Sequence, residues 1–258
     1  MKLPEEIKYE KDGPVAIVTF DRPKVNNSLT PDMMAGLNAA FDDFNRDDSL
    51  RVAILTGAGD KAFCAGADLE QTIPIMASGN FDQLMGDPSK RFFSDVFKPI
   101  IGAVNGFCVA GGMEILQGTD LRIASENAVF GLGEVRWGLV PGGGSHVRLP
   151  RQIPWAVAME MILTGHPISA ERAYQIGMIN KIVPQEDLMT EARKLADVIC
   201  QNGPMAVQTA KEIVVRSFAL EAPFAFESHL TKKVFASNDA KEGPRAFMEK
   251  RKPVYSGN

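Results

Sequence analysis

The sequence predicts an α/β fold on three observations. Apolar runs of strand character recur at residues 15–20, 52–56 and 100–104. Segments with helical spacing of apolar residues separate them. Near residue 200 the mixed pattern gives way to one that is almost purely helical. Alternating strands and helices build an α/β core, so residues 1–200 read as that core and residues 201–258 as a helical C-terminal region.

Taken in order, Val15-Ala16-Ile17-Val18-Thr19-Phe20 reads as a strand ended by the turn residues Asp21-Arg22-Pro23-Lys24. Thr30 is an N-cap, with Pro31 at the first helical position and Asp32 beside it. They open a helix whose apolar face is Met33, Leu37, Ala40, Phe41 and Phe44. The strand Val52-Ala53-Ile54-Leu55-Thr56 leads to a first small-residue corner, Phe63-Cys64-Ala65-Gly66-Ala67-Asp68-Leu69. Between Glu70 and Lys98 apolar residues such as Met76, Phe81 and Phe92 are interspersed with Gly79, Gly86 and Pro88. This segment reads either as a poorly patterned helical excursion or as a cover over an apolar ligand.

Ile100-Ile101-Gly102-Ala103-Val104 reads as a strand ending in a second corner, Asn105-Gly106-Phe107-Cys108-Val109-Ala110-Gly111-Gly112-Met113-Glu114, which opens a helix. A short strand (residues 121–124), a turn (129–131) and the glycine-rich stretch 138–145 before a helix at His146 follow. Helices are then expected at 155–163, 169–176, 186–200, 204–220 and 224–235, with a short strand at 179–183. No internal repeat is visible.

Composition narrows the function. The net charge is −4 and 23% of the 258 residues are charged, which gives no electrostatic reason to expect nucleic acid. Cys64, Cys108 and Cys200 are odd in number and widely spaced, so neither a disulfide framework nor a zinc site is expected. His146, His166 and His229 lack metal spacing and read as structural or surface residues. There is no Gly-x-Ser-x-Gly nucleophile signature. Residues 1–6 resemble neither a signal nor a transit peptide, and no apolar run reaches membrane-spanning length. A cytoplasmic protein with reduced thiols is the expectation.

The two corners carry the chemistry. Small residues let a ligand approach the backbone, and two such corners can aim two peptide N–H groups at one oxygen, the geometry of an oxyanion hole. If Gly111 begins a helix, its N–H is an unpaired donor at the positive end of the dipole, and Glu114 lies one turn further along nearly the same face. By spacing alone Glu114 reads more readily as a first-turn acid complementing that dipole. Glu134, in the glycine-interrupted Phe130-Gly131-Leu132-Gly133-Glu134-Val135, reads as a solvated loop residue unless the fold brings it opposite Glu114.

Residues 21–29, 61–69, 105–114 and 130–144, together with the tail Lys241-Glu242-Gly243-Pro244-Arg245-Ala246-Phe247-Met248-Glu249-Lys250-Arg251, occur in the order and approximate spacing of the crotonase superfamily. The chain resembles its enoyl-CoA hydratase/isomerase family over nearly its full length. The resemblance implies a crotonase-like spiral of repeated ββα units with a C-terminal helical subdomain. It also implies that the N–H groups of Ala67 and Gly111 hold an acyl-CoA thioester oxygen. Lys24, Val25, Ala65, Asp68 and Leu69 would follow the CoA, mainly through backbone atoms, and Lys250 would approach its phosphates from a neighbouring subunit. Glu114 and Glu134 fall at the positions of the two catalytic glutamates. Two departures are visible: Ala110 stands where glycine is common, tolerable unless that position needs a positive φ, and Gly133 stands where proline is frequent, leaving the orientation of Glu134 less fixed.

The expected reaction is addition of water to a 2-enoyl-CoA, with Glu114 activating the water and Glu134, its pKa raised by burial or by Glu114, exchanging the α proton. No cofactor beyond the substrate's own coenzyme A and no metal is implied, and relatives suggest a homotrimer or a hexamer built as a dimer of trimers. Competing readings are a Δ3,Δ2-enoyl-CoA isomerase, a hydratase or lyase for an aromatic or steroid-like acyl-CoA, and, in a different class, an RNA-binding crotonase homologue. Residues 71–97, with Trp137 and Leu139, are expected to shape the acyl pocket.

Overall fold

The computed structural model describes residues 3–78 and 84–257. Gly79 and Phe81 of the irregular segment lie outside the described residues. The chain opens with a hairpin the sequence reading missed. β1 (Ile7–Asp12) pairs antiparallel with β2 (Val15–Phe20), from Ile7 opposite Phe20 to Asp12 opposite Val15. The two-residue loop Gly13-Pro14 closes it, with Gly13 at φ 56, a glycine-first connection that matches the twist of the strands.

α1 (Pro31–Arg46) starts as expected: the Thr30 hydroxyl accepts a hydrogen bond from the Met33 amide at 3.1 Å, and Pro31 occupies the first turn. β3 (Val52–Gly57) and the short β4 (Ala62–Cys64) follow, then α2 (Thr72–Ala77). The same plan recurs as β5 (Ile100–Val104), β6 (Phe107–Val109) and α3 (Gly111–Leu116), and then as β7 (Leu121–Ser125) and β8 (Val129–Gly131) with a 3-10 turn at Glu134–Trp137. In each unit the first strand joins a large sheet, ordered β1-β2-β3-β5-β7 and ending on β10 (Lys181–Val183). The second strand joins a small sheet, β4-β6-β8, ending on β9 (Ile168–Ser169). This is the spiral of ββα units, and the glycine corners follow the short second strands rather than the long first ones.

The large sheet is parallel from β2 to β10 and buried on both faces, which is why its strands read as unbroken apolar runs. Side chains alternate between the faces. Ala16, Val18, Phe20, Ala53 and Leu55 meet Leu37, Phe41 and Phe44 of α1. Val15, Ile17, Val52, Ile54 and Ile101 meet Leu188, Ala192 and Ala196 of a later helix.

α4 (Ser145–Gln152) and α5 (Trp155–Thr164) follow the glycine-rich stretch, and α6 (Ala170–Gln175) is capped by the Ser169 hydroxyl. α7 (Leu188–Cys200), α8 (Pro204–Ser217), α9 (Glu221–Phe235) and α10 (Asn238–Met248) complete the chain. α10 was not expected, because Gly243 and Pro244 inside it read as helix breakers. Gly243 is there for space: a Cβ on it would lie 1.7 Å from the carbonyl oxygen of Trp137.

The small sheet brings the two corners together. Cys64 sits beside Cys108 in the β4–β6 register, and beyond them Gly66, at φ 91, lies so close to the second corner that a Cβ would be 2.7 Å from Ala110 Cβ and 3.0 Å from Gly111 N. Ala110 itself has φ 50 and ψ −127, so the position does need a positive φ and alanine holds it under strain. Such strain costs about 1–3 kcal/mol, against about 0.4–1 kcal/mol for the greater freedom of an unfolded glycine. Ala110→Gly should therefore stabilise the protein by about 1 kcal/mol, raising Tm by roughly 2–4 °C in a thermal melt.

Candidate active site

Among the described residues, neither the Ala67 nor the Gly111 amide donates a hydrogen bond to protein. Both residues line one pocket of about 370 Å³, which also takes in Glu114 and Glu134. Gly111 is the first residue of α3, so its N–H is one of the unpaired donors of that helix. Ala67 is held by the segment before α1: the Leu29 amide donates to Gly66 O at 2.8 Å and the Asp68 amide to Leu29 O at 2.9 Å. The spacing of a backbone donor pair at a shared cavity is thus produced by two parallel strands lying side by side.

Glu114 is buried, and its Oε1 accepts from the Gly143 amide at 2.6 Å and from the Ser145 amide at 3.4 Å. Its pKa is pushed above the ordinary 4.5, first by burial and next by the charge of Glu227, while the two amides oppose the rise. Glu134 begins the 3-10 turn, and its Oε2 is buried with no hydrogen-bond partner. Its pKa is also raised, first by burial and then by Glu114. Two carboxyls lining one cavity, one steadied by amides and the other not, share protons as a unit.

The sequence left the orientation of Glu134 open at Gly133. The C-terminal region packs on the turn that carries it: Gly243 lies against the Trp137 carbonyl, Phe247 meets the Trp137 ring edge-on at 4.8 Å, and the Tyr255 hydroxyl donates to Arg136 O at 2.7 Å. Phe235, Pro244 and Phe247 line the pocket of their own chain. Of the irregular segment, Ile73 and Met76 line it too, with Trp137 and Leu139. Phe92 and Phe93 pack instead on the main core.

The residues expected along the CoA divide. Ala65 and Leu69 line the pocket, while Lys24 and Val25 sit exposed on a 3-10 turn (Pro23–Val25). Asp68 is committed to the fold: its carboxylate pairs with Arg22 at 2.9 Å and accepts from the Glu70 and Gln71 amides and the Ser28 hydroxyl. Burial alone would raise its pKa, but Arg22 and these donors hold it below the ordinary value. Lys250 is exposed just past α10, with φ 54.

Two features escaped the sequence reading. Gly143, within the glycine-rich stretch, holds Glu114 through its amide, and a Cβ there would lie 2.9 Å from Glu114 Oε2 and 2.8 Å from the Phe92 ring. Gly143→Ala should displace the carboxylate and lower kcat roughly 100-fold in a steady-state assay, on the scale expected for a misplacement of about 1 Å. The second feature is Glu227, whose charge raises the Glu114 pKa from a helix more than a hundred residues away; nothing near it in the sequence marks it.

A model described as enoyl-CoA hydratase/isomerase matches residues 10–258. The chain belongs to the enoyl-CoA hydratase/isomerase family. The chain is 43% identical over 252 residues to the enoyl-CoA hydratase EchA19 of Mycobacterium tuberculosis, covering 95% of this chain and 94% of that one. It is 38% identical to the short-chain-enoyl-CoA hydratase of Clostridium acetobutylicum, covering 94% of each, and 37% identical to a carnitinyl-CoA dehydratase of Salmonella enteritidis, covering 99% and 100%. Among solved structures, a carnitinyl-CoA hydratase from Mycobacterium avium superposes with a TM-score of 0.88 at 35% identity, covering 99% of this chain and 100% of that one. As a member of the enoyl-CoA hydratase/isomerase family the chain is an enzyme, and its fold is the crotonase fold. Among the described residues no helix is long and apolar enough to cross a membrane, and no cluster of three or more His, Cys, Asp or Glu could hold a metal ion.

Proposed function

We propose that the protein hydrates the 2,3 double bond of a 2-enoyl-CoA to give a 3-hydroxyacyl-CoA. The observation that carries this is the meeting of two unpaired backbone amides and two glutamates with raised pKa values in a single pocket. The thioester oxygen lies between the Ala67 and Gly111 amides. Glu114 takes a proton from water as the oxygen bonds to C3. The π electrons move onto the thioester oxygen, and Cα then takes a proton from Glu134. Glu114 ends protonated and Glu134 ionised, and a proton passing between them resets the pair. No cofactor enters beyond the coenzyme A of the substrate. An isomerase needs one acid to shuttle one proton; the second acid favours hydration.

The acyl end of the pocket is apolar and partly aromatic, with Trp137, Phe235 and Phe247 among its walls. Ordinary apolar enoyl chains suit it. Aromatic rings also seat a quaternary ammonium, which, with the carnitinyl-CoA relatives, makes carnitinyl-CoA the second reading. The test is turnover of short, long and aromatic 2-enoyl-CoAs against dehydration of carnitinyl-CoA. Hydration of a plain 2-enoyl-CoA with the highest kcat/KM supports the proposal, and turnover of 3-enoyl-CoA alone overturns it.

The reading extends to the assembly and the CoA contacts. Residues 201–258 cover the site, and exposed apolar residues of this region, including Ile213, Phe226 and Leu230, pack a trimer or hexamer. Lys24, Val25, Ala65, Asp68 and Leu69 line the CoA path, Asp68 through its backbone, and Lys250 meets CoA phosphate across a subunit boundary.

A further inference from the structure

A buried ion cluster packs against the glycine-rich loop, and none of its side chains takes a step in the proposed reaction. The Arg91 guanidinium is fully buried, with Nε 3.4 Å from Glu227 Oε2. The same Nε donates to Gly142 O at 3.0 Å. Glu227 Oε1, on α9, accepts from the His146 amide at 3.2 Å and lies 3.3 Å from His146 Nδ1, at the start of α4. Arg91 also donates to Phe224 O at 3.4 Å and to the carbonyls of Pro88 and Lys90.

The decisive feature is one peptide unit. The carbonyl of Gly142 and the amide of Gly143 belong to the same plane; the carbonyl accepts from Arg91 and the amide donates to Glu114 at 2.6 Å. Turning this peptide would break both bonds together, and on either side of it stand glycines that offer no side-chain resistance. Backbone rigidity here has to come from outside, and Arg91 provides it. A cation on the carbonyl also polarises the amide toward Glu114, since hydrogen bonds in a chain reinforce one another.

We propose that Arg91, held by Glu227, is a positioning residue that fixes the Gly142–Gly143 peptide and through it the carboxylate of Glu114. The proposal rests on the reading of Glu114 as the water-activating base. Glu227 closes the arrangement by tying α9 to the N-terminus of α4, so that the loop is gripped at Gly142 and again at His146.

Removing Arg91 alone would strand the buried Glu227 and destabilise the protein for that reason. The test is therefore the double variant R91M/E227M, which removes both charges at similar volume. Thermal melts check the fold, and steady-state hydration of a 2-enoyl-CoA is measured. The expected result is a folded enzyme with kcat roughly 10- to 100-fold lower and KM within about twofold of the parent, since the oxyanion donors and CoA contacts are untouched. A folded double variant with parental kcat, or one altered only in KM, overturns the proposal. Should the double variant fail to fold, Arg91→Lys serves in its place. It keeps the charge beside Glu227 but loses the fixed fork of donors, and the same split is expected, a parental kcat again being fatal. Glu114→Gln is run in the same assay. If it retains activity, the assignment of the base fails; if it is inactive while the Arg91 variants work normally, the positioning role alone fails.

Discussion

Glu114→Gln should leave a folded protein whose kcat for hydration is lower by roughly 10²- to 10⁴-fold, the range for loss of a general base, with KM little changed. Glutamine is nearly the same shape, and its Oε1 can still accept from the Gly143 and Ser145 amides, so the pocket keeps its form while the proton acceptor is lost. Glu134→Gln should cost a comparable factor through the other proton. The two variants differ from the parent in a second, independent way. Both glutamates have folded-state pKa values raised above the ordinary 4.5. A group raised on folding favours the native state while protonated, and that contribution is lost as pH rises through the folded-state value. The parent therefore carries a burden at pH 8 that it lacks at pH 4. The glutamine variants, which never ionise, should gain stability relative to the parent over that range, by on the order of 1–3 kcal/mol at pH 8, read from denaturant melts at several pH values. An unchanged kcat in Glu114→Gln would remove it from the chemistry. A stability difference that is flat with pH would mean that the carboxyl is not buried as charge.

Much of the fold was legible because its signals are local. Thr30 and Pro31 marked the start of α1, and β2, β3 and β5 announced themselves as apolar runs because both faces of their sheet are covered. β1 was missed because only one of its faces packs, leaving Lys8, Glu10 and Asp12 on the open face and Lys11 exposed at the end of the packed one. The repeated ββα plan could not be seen as a sequence repeat: β4, β6 and β8 are three residues each, too short for a period to show, and they are specified by their neighbours in the small sheet. α10 was hidden by Gly243 and Pro244; the glycine is required by the carbonyl of Trp137 pressing from another part of the chain. In the site, residue types at the second glycine corner pointed to Gly111 and Glu114, and Ala67 was named only through the family resemblance. Spacing alone could not separate Glu134 from a solvated loop acid, because its burial depends on the 3-10 turn and on the C-terminal helices closing over it. Arg91, Gly143 and Glu227 were out of reach for the same reason: their effect on Glu114 runs through contacts between segments far apart in sequence.

Gly111→Pro addresses the step on which hydration and isomerisation equally depend. Side-chain substitution cannot delete a backbone amide, but proline can, and position 111 is where a helix best accepts it: the first residue of α3, whose N–H has no partner within the helix. The ring carbon takes the place of the amide hydrogen, and Gly66 beside it has no Cβ to collide with. The helix should survive with its interior bonds intact, including that from the Glu114 amide to Ala110 O at 3.0 Å. On the proposed mechanism this removes one of two donors to the oxygen that becomes negative in the transition state, worth about 3–4 kcal/mol, or roughly 10²- to 10³-fold in kcat. Because the ground-state carbonyl needs that donor less than the enolate does, KM should move less than kcat. Circular dichroism and the thermal melt establish that the fold is kept, and a folded Gly111→Pro with parental kcat would show that the charge is stabilised elsewhere. Comparing the two substitutions separates the roles: loss of Glu114 removes proton transfer and changes the pH profile, whereas loss of the Gly111 donor lowers the rate by the same factor at every pH, since an amide does not titrate.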